Sequence, residues 1–210
     1  IDVLQKVLKR GIIKLMIVVD IEATGLDPFR HSIISIGALD FNNPKNQFYG
    51  ECRMWEGSAV DRESLGVIGL SEAEVSDPNK KSLEELIKDF IAWMKIIDER
   101  TLAGGNPSFD RDFLSESAKR YGIDWKFGYR LVDLHSLGFA HHLSRGMEPP
   151  KKEGRTHLSV DRILKYTGLP EEPKPHNGLV GAKMEAEAFS RLIYGKSLLK
   201  EYGNLPVPDY

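Results

Sequence analysis

Met16-Ile17-Val18-Val19-Asp20-Ile21-Glu22-Ala23-Thr24-Gly25-Leu26-Asp27-Pro28 is the stretch on which the architecture turns. Its apolar run is strand-sized and ends in an acid, far short of the ~20 residues that span a bilayer. Residues 15–20 read as a first strand, and Gly25-Leu26-Asp27-Pro28 as a turn into a second at 33–40. Asn42-Asn43-Pro44 turns the chain again, and 47–53 reads as a third strand, antiparallel to the second. Side chains two apart on a strand share a face, so Asp20 and Glu22 stand side by side. Nothing in residues 16–19 supplies a counter-charge. A hard divalent cation such as Mg²⁺ or Mn²⁺ resolves the repulsion with oxygen ligands. Two solvated acids at a strand end are the equally weighted alternative.

Downstream, helices and strands alternate. Ser82 and Glu85 form a capping box before a helix whose apolar face is Leu83, Leu86, Ile87, Phe90, Ile91 and Met94. Residues 101–105 read as a short strand, 109–121 as a helix ended by Gly122, and 130–134 as a strand leading into a helix to about 143. Segment 144–156, with two prolines, two glycines and four basic residues, reads as a mobile loop. Val160, Ile163, Leu164 and Thr167 mark a helix stopped by Gly168, and 171–175 is a Pro-rich connector. Leu179, Ala182, Ala186, Phe189 and Ile193 give the last helix. The pattern is α/β: a mixed central sheet, its first three strands antiparallel, flanked by helices. One domain spans 16–195, with a tail at 196–210. Residues 1–15 form an appendage, helical (Val3, Leu4, Val7 and Leu8 are at helical spacing) or disordered.

Composition excludes several classes. Hydrophobic residues at 41% and charged residues at 29% suit a globular domain rather than a disordered chain. A net charge of −2 rules out a polycation that coats nucleic acid, so any such contact is local. The start lacks the apolar core of a signal peptide, and no segment suits a membrane. Cys52, the only cysteine, precludes an internal disulfide and suits a reducing compartment, hence the cytoplasm.

Two further motifs bear on chemistry. Asn106-Pro107-Ser108-Phe109-Asp110 follows the strand ending Gly104-Gly105, where α/β folds place functional side chains. Taken alone, Asn106 is a turn residue and Asp110 an ordinary acid in a helix's first turn. His176-Asn177-Gly178 opens the last helix, and histidine can act as a general base near neutrality. Alone, it is a surface residue.

In order and together, these motifs resemble the DnaQ-like (DEDDh) 3′–5′ exonucleases, over about residues 16–194. The likeness extends to Ala23-Thr24-Gly25-Leu26, to Phe113-Leu114, to 129–134 and to Leu158-Ser159-Val160-Asp161. It implies a ribonuclease H-like fold and two divalent cations, Mg²⁺ or Mn²⁺, held by carboxylates. Asp20 would bridge both ions, Glu22 would hold the one that activates water, and Asp110 would bind the second. His176 would take the proton of the attacking water. Ala23, Thr24, Gly25 and Leu26 would meet the terminal nucleotide, with Leu26 against the last base, and Asn106 and Phe109 would help position the strand. The implied substrate is a single-stranded DNA or RNA 3′ end, and the product a nucleoside 5′-monophosphate. A homodimer and a polymerase are the protein partners the resemblance suggests.

One position departs. The family's last carboxylate lies five residues after the histidine, and here that residue is Gly181. Glu185 is on the same helical face but about 6 Å further along the axis, too far by spacing alone. The expectation is turnover reduced by orders of magnitude, restored by aspartate at 181, or an inactive relative that binds nucleic-acid ends or a protein. Elsewhere, His135, His141 and His142 read as a solvated helix end and not a metal cluster. Asp133 and Asp161 read as local caps. Lys151, Lys152 and Arg155 are either a phosphate-steering patch or a soluble loop, and Trp55, Trp93 and Trp125 pack on the core.

Overall fold

The structure is a computed structural model that describes residues 15–210; all but the last residue of the expected appendage lie outside them. Three antiparallel strands lead: β1 (Ile17–Ala23), β2 (Ile33–Asp40) and β3 (Gln47–Glu51). Two short helices follow, α1 (Arg62–Ile68) and α2 (Glu72–Val75), then α3 (Leu83–Lys95). β4 (Leu102–Gly104), α4 (Pro107–Arg120), β5 (Val132–Asp133) and α5 (Leu134–Ser144) alternate after it. A two-stranded hairpin, β6 (Lys151–Lys152) and β7 (Arg155–Thr156), precedes α6 (Val160–Tyr166) and α7 (Gly178–Tyr194). The main sheet has the order β3-β2-β1-β4-β5, with β4 and β5 parallel to β1. This is the expected mixed sheet.

The pleat of β1 sorts its side chains. Ile17, Val19 and Ile21 join Leu86, Phe90, Phe113 and Leu114 beneath α3 and α4. Met16 and Val18 join Ala182, Ala186 and Phe189 of α7 on the opposite face. Each fully buried Val, Leu, Ile, Met or Phe among these contributes roughly 1.5–3 kcal/mol. Asp20 and Glu22 are in phase with Met16 and Val18, so they point toward α7. The Ser82–Glu85 capping box opens α3 as the sequence requires.

Glycines let α7 come down onto the sheet. Gly37 pairs with Asp20 across β2 and β1. A Cβ on Gly37 would stand 2.0 Å from the backbone of Gly178 and Leu179, and one on Gly178 would be 2.6 Å from the Asp20 carbonyl oxygen. Asn177 caps the helix, accepting from the Leu179 and Val180 amides, while its Nδ2 donates to the Tyr49 hydroxyl. At the other end of α7, the buried pair Arg191–Glu187 (2.7 Å) knits in residues 196–210. Arg191 donates to the carbonyls of Tyr202, Leu205 and Pro206, and Glu187 accepts the Leu198 and Leu199 amides.

Three local expectations are corrected. Segment 144–156 carries a hairpin, turning at Glu153 (φ 51°) and Gly154 (φ 75°); strands of two residues are too short for alternation to announce. α1 and α2 were not expected, because each buries too few apolar residues (Leu65 and Ile68; Val75) to set a period. The α5 histidines are not a solvated set. His142 is buried and stacks on Tyr166 at 4.0 Å, Tyr210 lies 4.7 Å from Tyr166, and His135 Nδ1 sits 3.2 Å from the Leu158 carbonyl oxygen. Asp133 does cap α5, accepting from the His135 and Ser136 amides, and Trp55, Trp93 and Trp125 do pack on the core.

Candidate metal centre

β4 ends at Gly104, so β1 runs on without a parallel partner beyond Val18. The buried Asp110 of α4 takes up the slack: its Oδ1 accepts the Ile21 amide at 3.0 Å. An acid 89 positions away is thereby fixed beside the Asp20–Glu22 pair. α7 closes the other side. Asp20 faces the charges of Glu185, Asp110, Glu22 and Glu172, and so forms the hub of five carboxylates. Glu22, Glu172 and His176 bring one ligand atom each within 4.8 Å of one another. His176 Nδ1 lies 3.7 Å from Glu172 Oε2.

Such a group cannot all be ionised unaided. Burial first, then repulsion from Glu172 and Asp110, pushes Glu22 up to about 8. Burial pushes Asp110 up to about 7, held back by the Ile21 amide. Burial and neighbouring acids also hold Asp20 and Glu185 far above the carboxylate range, and burial raises Glu172. Glu172 Oε1 and Glu185 Oε2 are buried with no hydrogen-bond partner among the described residues. A crowd of hard oxygen donors, two of them unsatisfied, fits divalent cations of the Mg²⁺ or Mn²⁺ kind.

Gly181 lies at the centre of this group. A Cβ there would stand 1.9 Å from Asp20 Oδ2 and 3.3 Å from Glu172 Oε1. The glycine thus leaves the space in which the Asp20 carboxylate rests.

No protein-family model matches the chain. It is 25% identical to the PolC-type DNA polymerase III of Thermotoga maritima over 188 residues, 89% of this chain and 12% of that protein. It is 27% identical to the Escherichia coli 3′–5′ DNA exonuclease Cap18 over 197 residues, 86% of this chain and 91% of that one. The nuclease domain of 3′hExo, a DEDDh family member bound to rAMP, superposes with a TM-score of 0.65 at 17% identity, covering 92% of this chain and 96% of that one. The fold is that of the DEDDh exonucleases.

On this fold Asp20, Glu22 and Asp110 share one acidic cluster, and His176 borders it beside Glu22 and Glu172. The other expected residues are more scattered in character. Leu26 is 76% exposed at the tip of the loop after β1, and Phe29, which no motif flagged, is 68% exposed beside it. Gly25 sits against the His31 ring, which a Cβ would meet at 2.3 Å. Ala23 is buried, and Thr24 is wholly so: its hydroxyl donates to the Ala59 carbonyl (2.8 Å) and accepts the Ser32 amide (2.9 Å). That hydroxyl serves the fold. Asn106 is exposed, in the left-handed region (φ 61°), and accepts from the Ser108 hydroxyl. Phe109 packs on Phe113 with ring centres 4.8 Å apart. Sequence reasoning missed Glu172, hidden in the Pro-rich connector, and set Glu185 aside.

The raised carboxyls imply an unusual pH response. Unfolded, these groups lose their protons near pH 4; folded, Glu22 keeps its own to about 8. The native state therefore binds more protons across that window, and the cluster's contribution to stability falls as pH rises through it. Metal-free protein in EDTA should melt lower at pH 8 than at pH 6, and Glu22→Gln should flatten the difference. Saturating Mn²⁺ should remove it. A metal-free melting temperature that holds or rises from pH 6 to 8, unaltered by E22Q, would count against this arrangement of charge.

Proposed function

We propose that the chain is a metal-dependent 3′–5′ exonuclease that removes nucleoside 5′-monophosphates from single-stranded DNA or RNA ends. The observation that carries the reading is that three separate segments, β1 (Asp20 and Glu22), α4 (Asp110) and the approach to α7 (His176), bring these side chains around Glu22. Two divalent cations held by the carboxylates would supply charge stabilisation to the attacking and leaving oxygens of an in-line displacement. Asp20, which faces Glu185, Asp110, Glu22 and Glu172, would be among the carboxylates that hold the cations.

His176 stands at the solvent side, 30% exposed, with Nδ1 turned to Glu172. Nε2 is then free to take the proton of a water attacking the terminal phosphodiester. Glu172 orients the ring. The 3′ oxygen of the shortened strand leaves and is protonated from water. Exposed Leu26 and Phe29 offer apolar surface to the last bases, a contact indifferent to sequence. The PolC likeness supports a polymerase as a partner, and the Cap18 likeness supports a DNA 3′ end as substrate.

The test is a 5′-labelled single-stranded oligonucleotide, DNA and RNA in turn, with Mn²⁺ or Mg²⁺. The expected result is a ladder shortening from the 3′ end, release of 5′-monophosphates, and arrest by EDTA. Gly181 favours a second reading, an inactive relative that holds ends without cutting. Oligonucleotide binding without shortening in either metal would establish that reading over the first.

A further inference from the structure

Glu185 has no role in the chemistry derived so far. It lies in the middle of α7 at 5% exposure, faces the charges of both Asp20 and Asp110, and leaves Oε2 without a hydrogen-bond partner among the described residues. A buried, unsatisfied carboxylate beside two others is among the costliest arrangements a core can hold. The fold has nonetheless made room for it. A Cβ on Gly105 would meet Glu185 Oε1 at 2.6 Å, and one on Gly104 would meet Oε2 at 3.2 Å. The Gly104-Gly105 pair at the end of β4 thus clears the path along which this side chain reaches the cluster, and the Gly105 amide donates to it.

The helix explains how the reach is made. Cα–Cβ bonds tilt toward the helix N-terminus, so a residue's side chain covers the turn before its own. Residue 185 therefore lies over residue 181, and glutamate is one methylene longer than aspartate. The ~6 Å of axial rise between the two positions overstates how far the Glu185 carboxylate lies from the turn that holds Gly181. Gly181 contributes in a complementary way, by leaving space for the Asp20 carboxylate.

We infer that Glu185 supplies the fourth metal-holding carboxylate of this site, beside Asp20 and Asp110, in place of the aspartate absent at 181. The inference rests on the exonuclease reading above. Glu172 is the competing acid, since its Oε1 is also unpartnered and lies near Gly181. It is nearer solvent and sits against His176, which suits it to positioning that ring. On this account the site has its full set of carboxylates, and the turnover deficit expected from Gly181 does not arise. Aspartate at 181 would first have to displace the Asp20 carboxylate, whose Oδ2 a Cβ there would meet at 1.9 Å.

Mn²⁺ binding to the full chain, titrated with the metal alone and followed by electron paramagnetic resonance, decides the matter. Wild type should bind two ions, and Glu185→Gln should lose one of them or weaken it at least tenfold. Glu172→Gln should keep both. In EDTA, E185Q should melt no lower than wild type, because it removes a repelled buried acid; a residue that merely packs would give the opposite. Should E185Q fail to fold, Glu185→Asp keeps the charge but shortens the arm, and the same loss is expected. Unchanged Mn²⁺ binding in the folded variant, or loss of a site in E172Q alone, would overturn the assignment. Wild type that neither binds Mn²⁺ nor shortens oligonucleotides would refute the exonuclease reading as well, whereas an active wild type with an indifferent E185Q refutes only this one.

Discussion

Asp20→Asn should abolish 3′-end shortening, by about a thousandfold or more, while leaving the metal-free protein at least as stable as wild type. Asp20 is the hub of the cluster, facing Glu185, Asp110, Glu22 and Glu172 at once. Metal-ion catalysis contributes several kcal/mol of charge stabilisation, and each ~1.4 kcal/mol is tenfold in rate. An amide of the same shape keeps the packing against α7 but gives up the negative charge that the cations would share. The same exchange relieves the repulsion that burial imposes on the metal-free fold. Single-turnover rates in Mn²⁺ and melting curves in EDTA read the two effects separately. Activity within tenfold of wild type would remove Asp20 from the chemistry, and a large loss of metal-free stability would show it to be structural.

Gly37→Ala should have the largest effect on the fold. A methyl there meets not a side chain but the Gly178–Leu179 backbone, at 2.0 Å. Overpacking generally costs ~1–3 kcal/mol, and backbone on both sides leaves little room to yield, so the upper end, about 3 kcal/mol, is expected. α7 would be lifted off β2 and carry His176 and Glu185 away from Asp20. A misplacement of ~1 Å at reacting groups can cost ~10² in rate. Urea denaturation and the shortening assay should both register the change. Gly66→Ala is the control. It lies in α1 with nothing within 4 Å of the added carbon, and alanine is favoured there by up to ~1 kcal/mol. Equal stability for the two variants would show that the close approach of α7 to the sheet is not what organises the site.

What the sequence discloses follows from how local each cause is. β1, β2 and α3 are legible because alternation, turn residues and the Ser82–Glu85 box act within a few positions. The shared face of Asp20 and Glu22 follows from the pleat alone. Asp110 is legible only through the order of motifs, since the contact that fixes it, to the Ile21 amide, spans 89 positions and depends on where β4 stops. Glu172 is out of reach, because a Pro-rich connector has no period from which to infer where a side chain turns. Glu185 is visible on its helix face, but axial spacing misjudges it; side-chain tilt and the Gly104–Gly105 clearance decide, and neither can be seen without the packed strands. Thr24 carries a structural role that its motif does not disclose. A motif position suggests a ligand contact, while Ala59 and Ser32 take both of its hydroxyl bonds.

The most direct measurement is an anomalous difference map from crystals soaked with Mn²⁺ and a nucleoside 5′-monophosphate. Two manganese peaks about 4 Å apart are expected at Asp20, one of them within coordinating distance of Glu185. A map with no manganese at Asp20 would contradict that expectation.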